Sequence, residues 1–594
     1  MKGNKKPVPF MEDTAVPPER LADYIKELTA LLDSYGLRYG MFGHVDVGCL
    51  HVRPALDMNT EEDMKNIAKL TTEVNKLVKK YGGVYWSEHG KGFRSEYVKD
   101  YFGDDLYKSL EHIKKTFDPH NQLNPGKIAV PHGSKDELVK VDGPFRGYQD
   151  RQVPENMRVQ FSGAFNCNGN SQCLNYDTNA VICPSAKSSR NWAYSPKGRS
   201  AILREWLNQA SAEGFDTTKA EYKNGMEKPS DTPNDFSHQV YDSLDKCLGC
   251  KACATACPIK VDIPHMKSTF LANYHSKYSR PKLDYFVKYS ESMLTLNMNM
   301  PRIFNDLFNT QLFKACMSQF IGFVDAPSIN ALNLKEELRK RKAPVFSLKT
   351  LTALSDEEKS KTVCIVQDVF TTVYDTNIAL SLYDLLTSIG YTVYFAPFRV
   401  NGKPAHVKGF LKYFEKQAIK ATKLYNNIAD TGVDMVGIDP AMTLVYRDEY
   451  TKILGSAVKF KVKMIQEWLA SKLDNLNIDT VGVQREFTLF AHCTERSLSA
   501  VSQIQWQQVF NHFGIKMKTA KVGCCGMSGS FGHEKKHERT SKDIYDLSWK
   551  AQIGSVGFGS AMATGFSCRS QVKRIEGHKI KHPIEILSKY IKKP

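Results

Sequence analysis

Four cysteines fall within twelve residues: Cys247-Leu-Gly-Cys250-Lys-Ala-Cys253-Ala-Thr-Ala-Cys257-Pro258. In a C-x2-C-x2-C-x3-C-P run, three thiolates wrap one four-iron cubane while the fourth turns toward another cluster. Proline fixes the turn after the last thiol. A zinc site is the alternative, but thiols this close followed by proline match the iron–sulfur run far better. Upstream lie Cys167, Cys173 and Cys183-Pro184, separated by five and nine residues. By the usual crossover, Cys183 completes the set of Cys247, Cys250 and Cys253, and Cys257 joins Cys167 and Cys173. That second set is one thiolate short, so it holds a three-iron cluster, uses another ligand, or is inert. A third set, Cys493, Cys524-Cys525 and Cys568, includes the glycine-rich GCCGMSGSFGH. Glycine there permits close backbone approach to a ligand, and four thiolates from three loops suit a further cluster. Structural or redox-active thiols without iron are the alternative.

A second kind of chemistry lies near the N-terminus. His44 and His51 flank the turn in Gly43-His44-Val45-Asp46-Val47-Gly48-Cys49-Leu50-His51, and Glu88 and His89 follow in WSEHGKG. Two histidines and a glutamate form a common set for Zn or Mn. A neighbouring imidazole, His89, suits proton abstraction near neutral pH. Histidines scattered through a packed sheet are the alternative reading.

These residues need elements to hold them. A helix is expected from Pro18 to Tyr35, strand-like sequence over 38–53, a helix over about 61–80, and another ending near Lys115, closed by the turn-rich FDPHNQLNPGK. We divide the chain into an α+β block over 1–130, a linker over 131–160, a mainly helical cysteine domain over 161–345, and an α/β region over 362–594. The last carries an internal repeat. Shifted by 124 residues without gaps, TVCIVQDVF and TSIGYTV overlie EFTLFAHCT and NHFGIKM, Gly390 falls on Gly514, and Gly402 on Gly526. Val369, Val400 and Asn401 stand where the second copy has Cys493, Cys524 and Cys525. One half keeps the thiols and the other only the scaffold.

At 594 residues, with 42% hydrophobic and 24% charged residues, the chain is an ordinary globular polypeptide of several domains. It has neither an apolar run long enough to span a membrane nor a secretory leader, so cytoplasmic placement is expected, with at most peripheral contact at the inner face of a membrane. The 14 cysteines therefore favour metal or redox chemistry over disulfides. Cys49, Cys316 and Cys364 stand alone and read as small buried hydrophobes. The net charge of +17 is spread over short lysine pairs, a solvated surface rather than a nucleic-acid motif.

Taken in order, FGHVDVGCLHVRPALDM, EHGKGFRSEY, FDPHNQLNPGK, CNGNSQC with CPS, CLGCKACATACP, and HCTE with GCCGMSGSFGHE and GFSCRSQ cover nearly the whole chain. Together they resemble the FAD-linked oxidase and iron–sulfur fusion proteins of the D-2-hydroxyacid dehydrogenase group. The resemblance implies the C-terminal part of a FAD-linked oxidase domain, a helical ferredoxin-like domain and a duplicated cysteine-rich CCG domain. It implies that His44, His51 and Glu88 hold a divalent metal gripping the hydroxy acid. His89 takes the hydroxyl proton while the α-hydrogen leaves as hydride to the flavin. Asn124, Gly126 and Lys127 match a stretch that returns to the flavin, and Arg53 lies where a substrate-facing residue is expected.

Three departures stand out. Cys49 replaces the usual Asn of the first metal motif, and Gln571 replaces a second terminal cysteine. The family's flavin-cradling half, with the first part of its substrate domain, is expected before residue 10. Hence the expectation is that FAD comes from a partner polypeptide. On this reading electrons pass from a D-2-hydroxyacid, 2-hydroxyglutarate rather than lactate, through FAD and up to three clusters to a quinone or redox carrier. The alternative is an electron-transfer subunit or truncated fragment without dehydrogenase activity of its own.

Overall fold

The computed structural model describes residues 5–591 except 91, 146, 221–224, 298–300 and 477–481. The chain divides into two compact units, Met1–Pro154 and Glu155–Pro594.

In the first unit, β1 (Lys6–Pro7), β2 (Thr14–Ala15) and β3 (Tyr39–His44) all pair antiparallel with β4 (Cys49–Leu56). Strands β1 and β2 share one edge of β4, and β3 takes the other. Helix α1 (Leu21–Ser34) buries Leu21, Tyr24, Leu28 and Leu32, the one-sided spacing of an amphipathic helix. Helix α2 (Glu61–Lys80) is capped by Thr60, whose side chain accepts from Asp63 N. Its acidic first turn and basic last turn suit the helix dipole. Both helices pack on the sheet in one core with Leu50, Val52 and Leu56.

The expected linker over 131–160 is a correction. Val139 N donates to Gly126 O at 2.9 Å, Val141 N donates to Glu96 Oε1 at 2.6 Å, and Val141 joins the core. Residues up to 154 thus belong to the first unit. Their apolar side chains, spaced between prolines and glycines, have core to bury against, which composition alone does not reveal.

The second unit begins with helices, among them Pro196–Ala212, Ser237–Asp245, Ile263–Lys277 and Lys282–Asn297. Two parallel sheets follow. The first orders β5 (Thr362–Ile365), β6 (Thr392–Phe395), β7 (Asp434–Gly437) and β8 (Val462–Met464) as β6-β5-β7-β8. The second orders β9 (Phe487–Phe490), β10 (Met517–Thr519) and β11 (Ala561–Ala563) as β10-β9-β11. Val363 pairs with Val393 and, 124 residues on, Phe487 pairs with Met517, so the two copies share a register. Strands β5 and β9 are buried at every position, as parallel strands covered on both faces must be. Both sheets feed one core through Val363, Ile365, Leu489, Met562, Trp468 and Trp506.

The division at residues 345 and 362 is therefore not a break in packing, because helical and sheet parts form one unit. Cys49 and Cys364 are buried as expected, whereas Cys316 is exposed. It ends a short helix, Gln311–Cys316, with no buried residue, so it has no core to join. Among the described residues no helix is long and apolar enough to cross a membrane.

Candidate functional site

The β3–β4 hairpin fixes the two histidines. A Cβ on Gly43 would meet Cys49 O at 2.1 Å, and one on Gly48, at φ +70°, would meet Val16 O at 1.8 Å. Only glycine allows the strands and the preceding loop to approach this closely. In the resulting register His44 faces Cys49 and Phe42 faces His51. His51 Nε2 lies 2.9 Å and His44 Nε2 3.3 Å from the same oxygen, Glu88 Oε1. His89 Nε2 is 3.7 Å from that oxygen, and its ring stacks on His51 with centroids 5.2 Å apart. Lys91 of the same motif lies outside the described residues.

What holds Glu88 and His89 is a residue that sequence reasoning missed. Asp13 is 1% exposed and has φ +76°, a left-handed conformation costly for a non-glycine residue. Its Oδ1 accepts from Glu88 N and its Oδ2 from His89 N, each at 3.0 Å. Cys49 Sγ lies 3.8 Å from Asp13 Oδ1 and 3.9 Å from His51 Nε2. Burial pushes the Cys49 thiol up, keeping it protonated. Asp13, Cys49, His51 and Glu88 have donor atoms all within 4.8 Å of one another, as do Glu12, His51 and His89. Imidazole nitrogens and carboxylate oxygens are donors that suit a divalent ion, but His44, of the expected set, is in neither group. No motif marks Asp13, because it reaches the site through β2–β4 pairing rather than through sequence proximity.

Arg53 is already engaged. Its Nε and Nη2 donate to Glu12 at 2.5 and 3.1 Å, and its guanidinium lies over Phe42. The side chain remains 43% exposed. Asn124 and Gly126 both have positive φ, 53° and 72°, in the turn that brings 126 against 139. A Cβ on Gly126 would meet Glu137 O at 3.0 Å. Lys127 follows that turn.

In the second unit one cavity is lined by Cys183, Cys247, Cys250 and Cys253, the four thiols that crossover reasoning groups together. Positive φ at Gly249 and Lys251 curls the loop so that successive thiols face inward. Arg199, 1% exposed, points Nη1 at Cys183 Sγ (3.9 Å) and anchors through Ser243 O and Ser185 Oγ. Burial raises the thiols of Cys250 and Cys253 well above their ordinary range, and the charges of neighbouring cysteines raise them further. Four thiolates can share such a site only with positive charge among them, the condition an iron–sulfur cluster meets. Cys173 interacts electrostatically with Cys167 and Cys183. Cys257 does not line the cavity and is half-buried past the helix Ala252–Thr255.

The third set converges as well. The thiols of Cys493 and Cys524, of Cys524 and Cys525, and of Cys525 and Cys568 act on one another's titration, which puts the four in one buried group. Gly526, at φ +86°, sits so tightly that a Cβ would meet Ser541 O at 2.2 Å, and its N–H donates to Cys524 Sγ at 3.4 Å. Gln571, in place of a further cysteine, donates to Ser541 O and Oγ instead. The two four-thiol sets are neighbours: Leu248, Cys493, Cys524 and Phe531 share one apolar cluster with Cys250 against it. Ser528 Oγ donates to Leu248 O. In the thiol-less repeat a carboxylate fills the corresponding place, Glu291 accepting from Asn401 N at 3.0 Å and Gly402 N at 2.8 Å.

Residues 1–128 match the family of FAD linked oxidases, C-terminal domain, and residues 163–261 match the 4Fe-4S dicluster domain. The chain is 44% identical to the D-2-hydroxyglutarate dehydrogenase of Escherichia coli (strain K12) over 611 residues, which covers 100% of this chain and 60% of that protein. It is 43% identical to the enzyme of the same name from Pantoea ananatis (strain AJ13355), covering 99% and 59%. Over 131 residues it is 28% identical to glycolate oxidase subunit GlcD of Bacillus subtilis (strain 168), 22% of this chain and 28% of that one. The first two matches run along the whole of this chain. The chain spans about 60% of the length of the D-2-hydroxyglutarate dehydrogenases it matches.

Proposed function

We propose that this chain carries the substrate-binding and electron-transfer parts of a flavin-dependent D-2-hydroxyacid dehydrogenase whose substrate is D-2-hydroxyglutarate. The observation that carries this is the convergence of His44, His51 and His89 on one Glu88 oxygen. The names of the relatives supply the substrate class.

When bound, a divalent ion and FAD supply a Lewis acid for the hydroxyl and carboxylate oxygens and an acceptor for the α-hydride. His44, His51 and Glu88 hold the ion, and Asp13 orients Glu88 and His89 through their backbone N–H groups. His89 receives the hydroxyl proton. Half-exposed Arg53, held by Glu12 through Nε and Nη2, is the cation for the distal carboxylate, which lactate lacks. Asn124, Gly126 and Lys127 form a wall of the flavin site. In the second unit, Cys183, Cys247, Cys250 and Cys253 hold one 4Fe-4S cluster, and Cys493, Cys524, Cys525 and Cys568 another. Cys167, Cys173 and Cys257 belong to a third site.

The test is iron, sulfide and FAD content after anaerobic purification, with dye-linked oxidation of D-2-hydroxyglutarate and D-lactate on the same sample. At least about eight irons per chain, from two four-iron clusters and whatever the third site adds, and a preference for D-2-hydroxyglutarate are expected. Gel filtration then reads whether FAD travels with this chain or with a partner chain. Iron near zero, or equal inactivity toward both acids with FAD present, overturns the reading.

A further inference from the structure

The second unit contains a cavity of about 210 Å³ that no step above uses. Its walls include Phe286, Phe308, Phe370, Phe566, Val287 and Met442. Two of its lining residues are cysteines, Cys247 from one four-thiol set and Cys493 from the other. An apolar cavity that touches both sets is a place where electrons can leave the protein.

Size and charge restrict the occupant. A cavity of about 150 Å³ holds benzene, whereas pockets for larger ligands run to about 300–1,000 Å³. The space therefore admits one substituted ring and excludes a dinucleotide or a second flavin. Its cations are already committed: Lys267 donates to Cys247 O at 2.9 Å and Lys403 is paired with Glu449. Neither is spared for a phosphate. Hydrogen-bonding capacity remains at the wall, because His492 Nδ1 accepts from Thr494 N, which places the proton of the neutral ring on Nε2. The apolar surface also continues outward. Phe304 and Phe308 line the cavity and stack with centroids 3.8 Å apart, while Ile303 and Leu307 on the same helix, Pro301–Asn309, are 65% and 52% exposed. A ring bearing a long apolar tail fits this arrangement, the ring inside and the tail along the helix.

We propose that this cavity binds an isoprenoid quinone as the electron acceptor, with the ring between Cys247 and Cys493. The inference rests on the proposed dehydrogenase reading. Oxidation of the hydroxyl to a carbonyl releases two electrons and two protons. The electrons pass singly through the thiol-bound clusters to the quinone, which takes up two protons from water and becomes the quinol, so the overall exchange balances.

A short-tailed azidoquinone, photolysed with the anaerobic holoenzyme and mapped by mass spectrometry, tests the site directly. Expected is labelling of peptides bearing Phe304, Phe308 or Phe370, suppressed by excess decylubiquinone. Met293→Trp, at a half-exposed lining residue, is expected to lower labelling and the ratio of quinone to dye reduction by tenfold or more, with iron content unchanged. Labelling elsewhere, no labelling, or labelling indifferent to Met293→Trp in iron-replete protein overturns the proposal. Photolabelling needs no substrate, so absence of hydroxy-acid oxidation with labelling intact counts against the dehydrogenase reading alone.

Discussion

Asp13 shows how much a single side chain can carry. A left-handed aspartate inside a core is expensive, and each oxygen of its carboxylate accepts from a backbone N–H group, of Glu88 and of His89. Asp13→Asn turns one acceptor into a donor facing an N–H group. We expect it to lower hydroxy-acid oxidation by about 10–100-fold, the usual cost of losing an outer-shell partner, with bound divalent metal falling in parallel when measured by mass spectrometry. Glu291 gives a second test. Burial pushes its carboxyl up to about 7 against the pull of two backbone N–H groups. The folded chain therefore keeps a proton that the unfolded chain gives up above about pH 4.5, and stability falls as pH rises from there to about 7. Its share of that fall is about 3 kcal/mol. Glu291→Gln is expected to remove this component, so the denaturation midpoints of variant and parent diverge between pH 5 and pH 8, in the variant's favour at the higher pH.

At the scale of elements, the hairpin and the repeat were the most legible parts. His44 and His51 could be joined from sequence because glycines at 43 and 48 mark a turn between apolar alternations. The two parallel sheets could be matched because a gapless offset preserves register. Asp13 and Glu12 could not be found, since their positions depend on pairing and packing between distant segments. Arg53 was visible, but its commitment to Glu12 was not. Gly48→Ala tests the hairpin: with positive φ and Val16 O in the place of the new methyl group, the first unit should lose at least about 1–3 kcal/mol. A calorimetric scan is expected to show its transition moving down while that of the second unit stays.

For the whole molecule, the division after Pro154 separates proton chemistry from the clustered thiols. A protease site engineered there should yield an iron-free 1–154 piece and a brown 155–594 piece with all the iron, read by metal analysis after cleavage. Iron in the smaller piece would contradict the division. The sequence separated the helical cysteine region from the sheets, whereas the structure joins them, because contacts such as Leu248 with Phe531 link residues nearly three hundred apart and leave no periodic trace.

The burial of the thiols also bears on how the protein is made. Cys493, Cys524, Cys525 and Cys568 are 6%, 4%, 2% and 1% exposed, beneath a glycine-rich loop pressed against backbone. Of the four, only Cys493 lines the apolar cavity, so once this region has closed iron and sulfide reach one thiol of the set and not the other three. Cluster insertion then belongs to biogenesis, before the second repeat docks on the helical region. Iron starvation during synthesis would leave chains that later iron cannot repair without local unfolding.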